Sequence, residues 1–171
     1  LHQGHVSLIK KAEKDNDIVW VSIFVNPTQF NSSADLIKYP KNLEKDIKLI
    51  KKISDKIEIF SPNEIEIYDG TQKLKVYDFE KLDQELEGKF RKNHFNGVAT
   101  IVSKLLNLFK PSNVYFGEKD YQQTQIIKKL IFLEKIDVKM IICPTIREKN
   151  GLALSSRNNL LSNSERADSS I

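Results

Sequence analysis

Cysteine and long apolar segments are both scarce in this sequence. Its one cysteine, Cys143, has no partner for an internal disulfide, which is typical of proteins in a reducing cytoplasm. Because it follows the apolar residues 140–142, we expect it to be buried and inert. The longest apolar run, residues 18–25, is interrupted by Ser22 and falls well below the roughly 18 residues of a membrane-spanning helix. We therefore expect a cytoplasmic protein with no membrane association.

The sequence also lacks an excess of charge of one sign. It has 27 lysines and arginines against 23 acidic residues, which gives a net charge of +4. The lysines alternate with acids, as in residues 44–46, and this pattern is typical of solvated helix faces. No basic strand interleaved with aromatic residues and no zinc-finger spacing is present, so we expect no nucleic-acid partner.

An initiator methionine and a signal peptide are absent as well, and the chain opens in the middle of a motif. We interpret the 171 residues as a piece of a longer protein. Their number and the 40% hydrophobic content suit one well-cored domain.

The opening residues contain the first chemical pattern, His2-x-Gly4-His5. Apolar residues then recur at helical spacing, so the two histidines are expected on one face of a helix start. The first turn of a helix carries unpaired N–H groups and the positive end of the dipole, which together favour a phosphate. Gly4 lets a base or ribose approach the backbone closely. Alone, the pattern is more typical of a helix start with two surface histidines than of a phosphate site.

Strands and helices alternate along the rest of the chain, which predicts an α/β fold with a doubly wound, largely parallel sheet. The predicted strands cover residues 17–25, 57–60, 114–116 and 138–144. Helices are predicted over residues 43–53, 98–109 and 126–133, with further helix starts at the N-cap Ser61 and near Ser162. Residues 31–38 read as a flexible loop, and residues 70–92 give no clear pattern.

Several polar residues follow the predicted strands, where open α/β sheets bind their ligands. Asn26 and Gln29 come after the first strand and offer amide hydrogen bonds. A turn from strand to helix holds Lys119 as a phosphate ligand, Asp120 as a ribose ligand and Gln123 as a further amide. Each of these residues, taken singly, is also typical of ordinary surface loops.

A second chemical pattern, Gly151-Leu-Ala-Leu-Ser155-Ser156-Arg157-Asn158, changes the interpretation of the first. Together the two resemble the signatures of the nucleotidyltransferase superfamily that includes class I aminoacyl-tRNA synthetases, with Ser-Ser-Arg in place of the lysine-serine loop. Three more motifs complete an ordered set that resembles the pantothenate synthetase (pantoate–β-alanine ligase) family over essentially the whole chain. They are Val25-Asn-Pro-Thr-Gln-Phe30, His94-Phe-x-Gly97-Val and Phe116-Gly-Glu-Lys-Asp-Tyr-Gln-Gln123.

The resemblance implies a Rossmann-like ligase that makes pantoyl adenylate and pyrophosphate from pantoate and ATP, then pantothenate and AMP by attack of β-alanine. It implies His2, His5 and Lys119 as catalytic residues that neutralise the phosphates. The implied ATP-binding residues are His2, His5, Gly117, Lys119, Asp120, Ser155, Ser156 and Arg157. Pantoate would contact Asn26, Gln29 and Gln123, and Asp46 would help Mg²⁺ bridge the phosphates. The family also implies a homodimer.

Compared with that family, the chain lacks the strand that should precede His2 and most of the carboxyl-terminal lid domain. We therefore divide it into an ATP- and pantoate-binding domain, residues 1–160, and the start of a second domain, residues 161–171. Lys92 and Asn93 stand where many members have a Pro-Gly-like turn, and Lys41 replaces the usual arginine. Two other hypotheses remain, a nucleotidyltransferase that moves AMP onto a phosphate and a non-catalytic RNA-binding module.

Overall fold

The computed structural model describes residues 1–30, 32–68 and 74–169. The helices are α1 (Gln3–Asp15), α2 (Ser33–Lys38), α3 (Leu43–Lys51), α4 (Glu64–Tyr68), α5 (Leu86–Phe90), α6 (His94–Phe109), α7 (Tyr121–Glu134) and α8 (Asn163–Asp168). The strands are β1 (Trp20–Ser22), β2 (Glu58–Phe60), β3 (Asn113–Gly117) and β4 (Lys139–Cys143). Short 3₁₀ turns cover Pro27–Gln29, Glu118–Asp120 and Ser156–Leu160.

The strands pair in parallel, which confirms the predicted α/β class. β1 pairs with β2, and β3 pairs with β4. Within the described ranges these are two separate two-stranded sheets. The predicted doubly wound arrangement is therefore present as two parallel strand pairs, and helices connect the two strands of each pair along the chain. Every helix in those ranges falls short of the length and apolarity that a bilayer crossing requires.

Two apolar clusters support the strand pairs from different helices. The larger lies between α6 and α7, where Phe95, Ile126 and Leu130 are almost completely inaccessible to solvent. The other packs α1 and α3 against the first pair through Ile9 and Ile50. Burying large aliphatic and aromatic side chains stabilises a fold by about 1.5–3 kcal/mol each. The second cluster also includes Tyr115 of β3, so it contacts both strand pairs.

Three local predictions are wrong, and each fails for a physical reason. Ser61 does not cap α4, because Asn63 and Glu66 form the reciprocal side-chain-to-backbone pair at its start. β1 is shorter than residues 17–25, since its partner β2 offers only three facing residues. The expected loop at 31–38 contains α2; residue 31 lies outside the described residues.

Residues 70–92, which give no clear sequence pattern, supply two side chains to the core in the part that the structure describes, from residue 74 onwards. Tyr77 and Phe79 insert into the cluster between α6 and α7, with 8% and 1% of their surface exposed. Residues 70–73 lie outside the described part. Residues 74–79 carry no helix or strand, so these two core residues are spaced without helical periodicity.

Candidate active site

The start of α1 holds its two histidines side by side, as predicted. Their ring centroids are 4.0 Å apart. His2 is the N-cap, and its Nδ1 accepts a hydrogen bond from the Gly4 N–H at 3.1 Å. His5 Nδ1 accepts from the His2 N–H at 3.2 Å. Because both Nδ1 atoms act as acceptors, each neutral ring carries its proton on Nε2, which leaves an N–H donor for a ligand.

Burial favours the neutral form of both rings. It lowers the pKa of His2, and burial together with the adjacent His2 ring lowers the pKa of His5 to about 4. Neutral imidazoles avoid mutual repulsion at 4.0 Å. A bound polyphosphate would favour their charged forms, since opposite charge raises the pKa of a histidine.

The absence of a side chain at Gly4 leaves room for the His2 ring as well as for a ligand. A Cβ atom at this position would lie 2.9 Å from His2 Cε1, and its next neighbour would be Leu154 Cβ at 4.0 Å. The glycine thus lets the N-cap ring fold over the helix start. It also brings the residues before the Ser-Ser-Arg motif against the same turn.

The turn after β3 forms a second side of the site. Gly117 ends the strand, and the 3₁₀ turn Glu118–Asp120 follows before α7 begins. Lys119 Nζ lies 3.7 Å from Asp120 Oδ1, and both side chains are exposed, by 39% and 59%. An exposed ion pair of this kind contributes little to stability, so these two groups remain available to a ligand.

The Ser-Ser-Arg loop forms the third side and is fixed by its own backbone. An antiparallel bridge joins Arg147 to Ala153, and Gly151 turns the chain with a φ of 92°. Ser155 Oγ then caps the following 3₁₀ turn by accepting the Arg157 N–H. The loop is therefore preformed before any ligand arrives.

Glu148 anchors that loop to the end of the chain. Its carboxylate accepts hydrogen bonds from Asn158 Nδ2 at 3.2 Å and from two guanidinium nitrogens of Arg166 at 3.0 and 2.6 Å. Arg166 belongs to α8, and its proximity lowers the pKa of Glu148. Glu148 thus has a structural task, because it fixes Asn158 directly after the two serines and the arginine.

These three sides enclose one cleft of about 200 Å³. All eight residues predicted to bind ATP line it: His2, His5, Gly117, Lys119, Asp120, Ser155, Ser156 and Arg157. They come from three stretches that are far apart in sequence. These eight residues combine four potential cationic groups with two serine hydroxyls and one carboxylate, which suits a polyphosphate attached to a ribose.

The three predicted pantoate ligands do not line this cleft. Asn26 is only 2% exposed, and its Oδ1 accepts from Thr28 and from the Tyr68 hydroxyl, while its Nδ2 donates to the Gly97 carbonyl at 3.2 Å. This buried amide is occupied in holding the turn together. A direct contact between Asn26 and a substrate is therefore not what the structure supports, and we assign it to the turn itself.

Gln29 differs from Asn26, because its backbone is fixed while its side chain is not. The Gln29 carbonyl accepts from His94 Nδ1 at 2.7 Å and from Arg91 at 3.1 Å. Its side-chain amide has no hydrogen bond to the described part of the chain and is half-buried. The His-Phe-x-Gly motif thus works by holding Gln29.

Gly97 completes that support. A Cβ atom here would lie 2.5 Å from the Thr28 carbonyl oxygen, so only glycine lets α6 pack on the turn.

The paired glutamines in the first turn of α7, Gln122 and Gln123, have separate tasks. Gln122 uses its amide on the backbone of residues 82, 85 and 87. The amide of Gln123 makes no hydrogen bond to the described residues and is half-buried. Gln123 is thus the member of the pair that is open to a ligand.

Asp46, the predicted metal ligand, lies outside the cleft. Its carboxylate is 14% exposed and is not among the groups that line the cleft. Within residues 1–30, 32–68 and 74–169 no three His, Cys, Asp or Glu side chains gather in a way that could hold a metal ion. The residues present therefore do not form a protein cage for magnesium.

Comparison with known proteins identifies the family. The model of the pantoate-β-alanine ligase family matches residues 1–171. The chain belongs to the pantoate-β-alanine ligase family.

Among its relatives, the pantothenate synthetase of Flavobacterium psychrophilum is 48% identical over the whole chain, which covers 61% of that protein. A crystal structure of pantoate-β-alanine ligase from Francisella tularensis, complexed with β-γ ATP and β-alanine, is 48% identical with a TM-score of 0.91 and is matched over 95% of this chain and 62% of its own. A pantothenate synthetase structure from Thermus thermophilus is 40% identical with a TM-score of 0.94, over 99% of this chain and 61% of its own. The chain spans about three fifths of the length of these relatives.

Sequence reasoning missed part of this family member's cleft. Tyr39 and residues 144–146 also line it. The position of 144–146 directly after a predicted strand was a usable signal, because ligands gather at the carboxyl ends of parallel strands. Tyr39 gave no such signal, since it follows a segment that reads as a loop.

Proposed function

We propose that this chain carries the adenylating site of an ATP-dependent ligase that condenses pantoate with β-alanine. The observation that supports it best is the single cleft lined by all eight predicted ATP ligands. In the reaction, a pantoate carboxylate oxygen attacks the α-phosphorus of ATP and pyrophosphate leaves. The β-alanine amine then attacks the acyl carbon, loses a proton and expels AMP.

The residues of the cleft supply charge stabilisation in the first step. The Nε2–H groups of His2 and His5 donate to phosphate oxygens, and Lys119 adds a positive charge. Ser155, Ser156 and Arg157 hold the triphosphate from the opposite side. Such prearranged donors act where negative charge develops, and the bound geometry removes much of the entropic barrier. A protein nucleophile is not needed.

Gln29 and Gln123 hold pantoate in this proposal, through side-chain amides that are half-buried and not used by the described protein. Gly117 and Asp120 face the adenosine. Asn26 acts indirectly, by keeping the turn of Gln29 in place. Asp46 lies outside the cleft, and magnesium, if it enters with ATP, would supply charge neutralisation at the phosphates.

The remaining features follow the family expectation. We propose a cytoplasmic homodimer whose substrates are ATP, pantoate and β-alanine, with no nucleic-acid or membrane partner. Residues 1–160 form the binding domain, and residues 161–171 begin a second domain that Arg166 ties to the Ser-Ser-Arg loop through Glu148.

Pyrophosphate exchange tests this function in the native full-length protein. The enzyme is incubated with ATP, Mg²⁺, pantoate and labelled pyrophosphate, without β-alanine. We expect label to enter ATP, because adenylation precedes the need for the amine. Omitting pantoate, or replacing it with acetate, should abolish the exchange.

The alternatives give different results in the same assay. A nucleotidyltransferase acting on a phosphate would exchange only with its own adenylated product and would ignore pantoate. An RNA-binding module would show no exchange, and its RNA affinity would fall steeply with salt. Exchange without pantoate, or no exchange from a folded protein, would reject the ligase assignment.

A further inference from the structure

Tyr39 occupies a position between two parts of the site that share no motif. It follows α2, is half-buried and lines the cleft. The Cζ atom of Arg157 lies 5.1 Å from the centre of the Tyr39 ring. This distance is within the range of a cation–π contact, for which arginine over tyrosine is a favourable pair.

The other side of this ring is held by Phe30. The two ring centroids are 5.6 Å apart with an interplanar angle of 78°, which is an edge-to-face pair. Phe30 directly follows Gln29, and its N–H donates to the Pro27 carbonyl. The Tyr39 ring therefore connects the fixed Gln29 turn with the guanidinium of the Ser-Ser-Arg loop.

The ring contact restricts where the Arg157 guanidinium can lie. Arg157 is exposed, and its long side chain loses conformational entropy whenever it is held in one position. A flat ring beneath the guanidinium restricts it beforehand, and the contact strengthens when a bound phosphate excludes water. Resting on the function proposed above, we infer that Tyr39, fixed by Phe30, is a positioning residue that holds Arg157 over the cleft for the triphosphate.

The inference predicts a measurable loss of nucleotide affinity. Tyr39→Leu, which keeps bulk but removes the ring, should weaken binding of α,β-methylene ATP by about 2- to 30-fold, the range of a cation–π contact from exposed to desolvated. Tyr39→Phe retains the ring and should stay within about 2-fold of wild type. Phe30→Leu should give a smaller loss in the same direction.

A double-mutant cycle separates positioning from general packing. Calorimetric titration of the native full-length protein with α,β-methylene ATP is repeated for Tyr39→Leu, Arg157→Ala and the double variant. In the Arg157→Ala background, Tyr39→Leu should change affinity by less than about 2-fold, because nothing is left to position. Tyr121→Leu, at a 62% exposed tyrosine outside the cleft, serves as the matched control and should have no effect.

Two results would overturn the inference. One is an equal loss from Tyr39→Leu with and without Arg157, as expected if the ring only stabilises α2. The other is a loss from Tyr39→Phe as large as that from Tyr39→Leu. If wild-type protein shows no pantoate-dependent exchange, the ligase function is rejected, and the binding cycle still decides the role of Tyr39. If wild-type protein does not bind the analogue at all, both proposals are rejected.

Discussion

The two halves of the site are built in opposite ways. Around the ATP cleft, the reactive groups are side chains with much of their surface open, such as Lys119 at 39%. Around Gln29, the surrounding groups are buried and bonded to backbone, such as Asn26 at 2%. The first half presents charge, and the second fixes the position of one amide.

The difference fits the ligands proposed for the two halves. A triphosphate is large and strongly charged, so several partly exposed cationic groups can share its recognition, and such exposed charges cost little stability. A small hydroxy acid offers few contacts, so its ligands must be placed within a few tenths of an ångström. Substitutions should therefore affect chemistry in the first half and substrate affinity in the second.

The largest effect is expected for His5→Ala, which removes a phosphate donor from the cleft. Loss of one such donor typically lowers turnover by about 10²- to 10³-fold. Because His5 Nδ1 also accepts the His2 N–H, we expect a loss of about 1 kcal/mol in the free energy of unfolding. Steady-state kinetics and urea unfolding measure the two effects.

Lys10→Ala is the matched control, since Lys10 is an exposed residue of the same helix. It should change neither turnover nor stability appreciably. Near-normal turnover in His5→Ala would return the two histidines to a purely structural role as caps.

The pH dependence of the free energy of unfolding tests His5 and the proposed ATP cleft in the absence of substrate. The folded pKa of His5, about 4, lies below the ordinary value of 6.5, so the unfolded chain binds more protons between these pH values. Stability is therefore complete above pH 6.5 and is lost as the pH falls towards 4, by up to about 3 kcal/mol.

His5→Asn cannot titrate, and its short side chain still offers an oxygen to a backbone N–H. Its free energy of unfolding, measured by urea titration from pH 7.5 to 4.5, should fall less steeply than that of wild type. Parallel curves would show that His5 is not kept neutral in the folded protein. The other titrating groups are common to both proteins and cancel in the difference.

In the half of the site around Gln29, the substitution Gln29→Ala should change the KM for one substrate only. Removing a side-chain amide that holds pantoate should raise the KM for pantoate by about 10-fold or more and leave that for ATP within about 2-fold. The backbone of residue 29 keeps its bonds to Arg91 and His94, so the turn should stay in place. An equal rise in both KM values would indicate that the loop is disturbed as a whole.

Gln122→Ala provides a contrast within the chain. Its amide is bonded to backbone at residues 82, 85 and 87, so its loss should lower stability more than it changes either KM.

Sequence reasoning was strongest where motif chemistry and strand ends coincide. All eight predicted ATP ligands line one cleft, and five of them lie at a helix start or a strand end, where sequence patterns are informative. It was weakest where a residue's task depends on its neighbours in space. Nothing in the sequence distinguishes Asn26, buried under Tyr68, from Gln29, or Gln122 from Gln123. Tyr39 was missed because the ring contacts that define it span over a hundred residues.

The Lys92-Asn93 departure from the family pattern is explained by backbone geometry and gives the smallest expected effect. Asn93 has a φ of 62° and a ψ of 0°, in the left-handed region. Glycine adopts this region most easily, and asparagine tolerates it better than most other residues. Asn93→Gly should therefore change the free energy of unfolding by less than about 0.5 kcal/mol, whereas Asn93→Ala should lower it by about 1 kcal/mol.

The same pair of variants sharpens the contrast between the two halves of the site. Asn93 immediately precedes His94, whose ring donates a hydrogen bond to the Gln29 carbonyl. Backbone strain at residue 93 should therefore change the KM for pantoate more than the KM for ATP. Asn93→Ala should raise the KM for pantoate by a few-fold, with that for ATP unchanged and Asn93→Gly close to wild type in both. A loss confined to ATP would show that the turn before α6 supports the cleft rather than Gln29, because only a shift of the cleft itself would alter nucleotide binding alone.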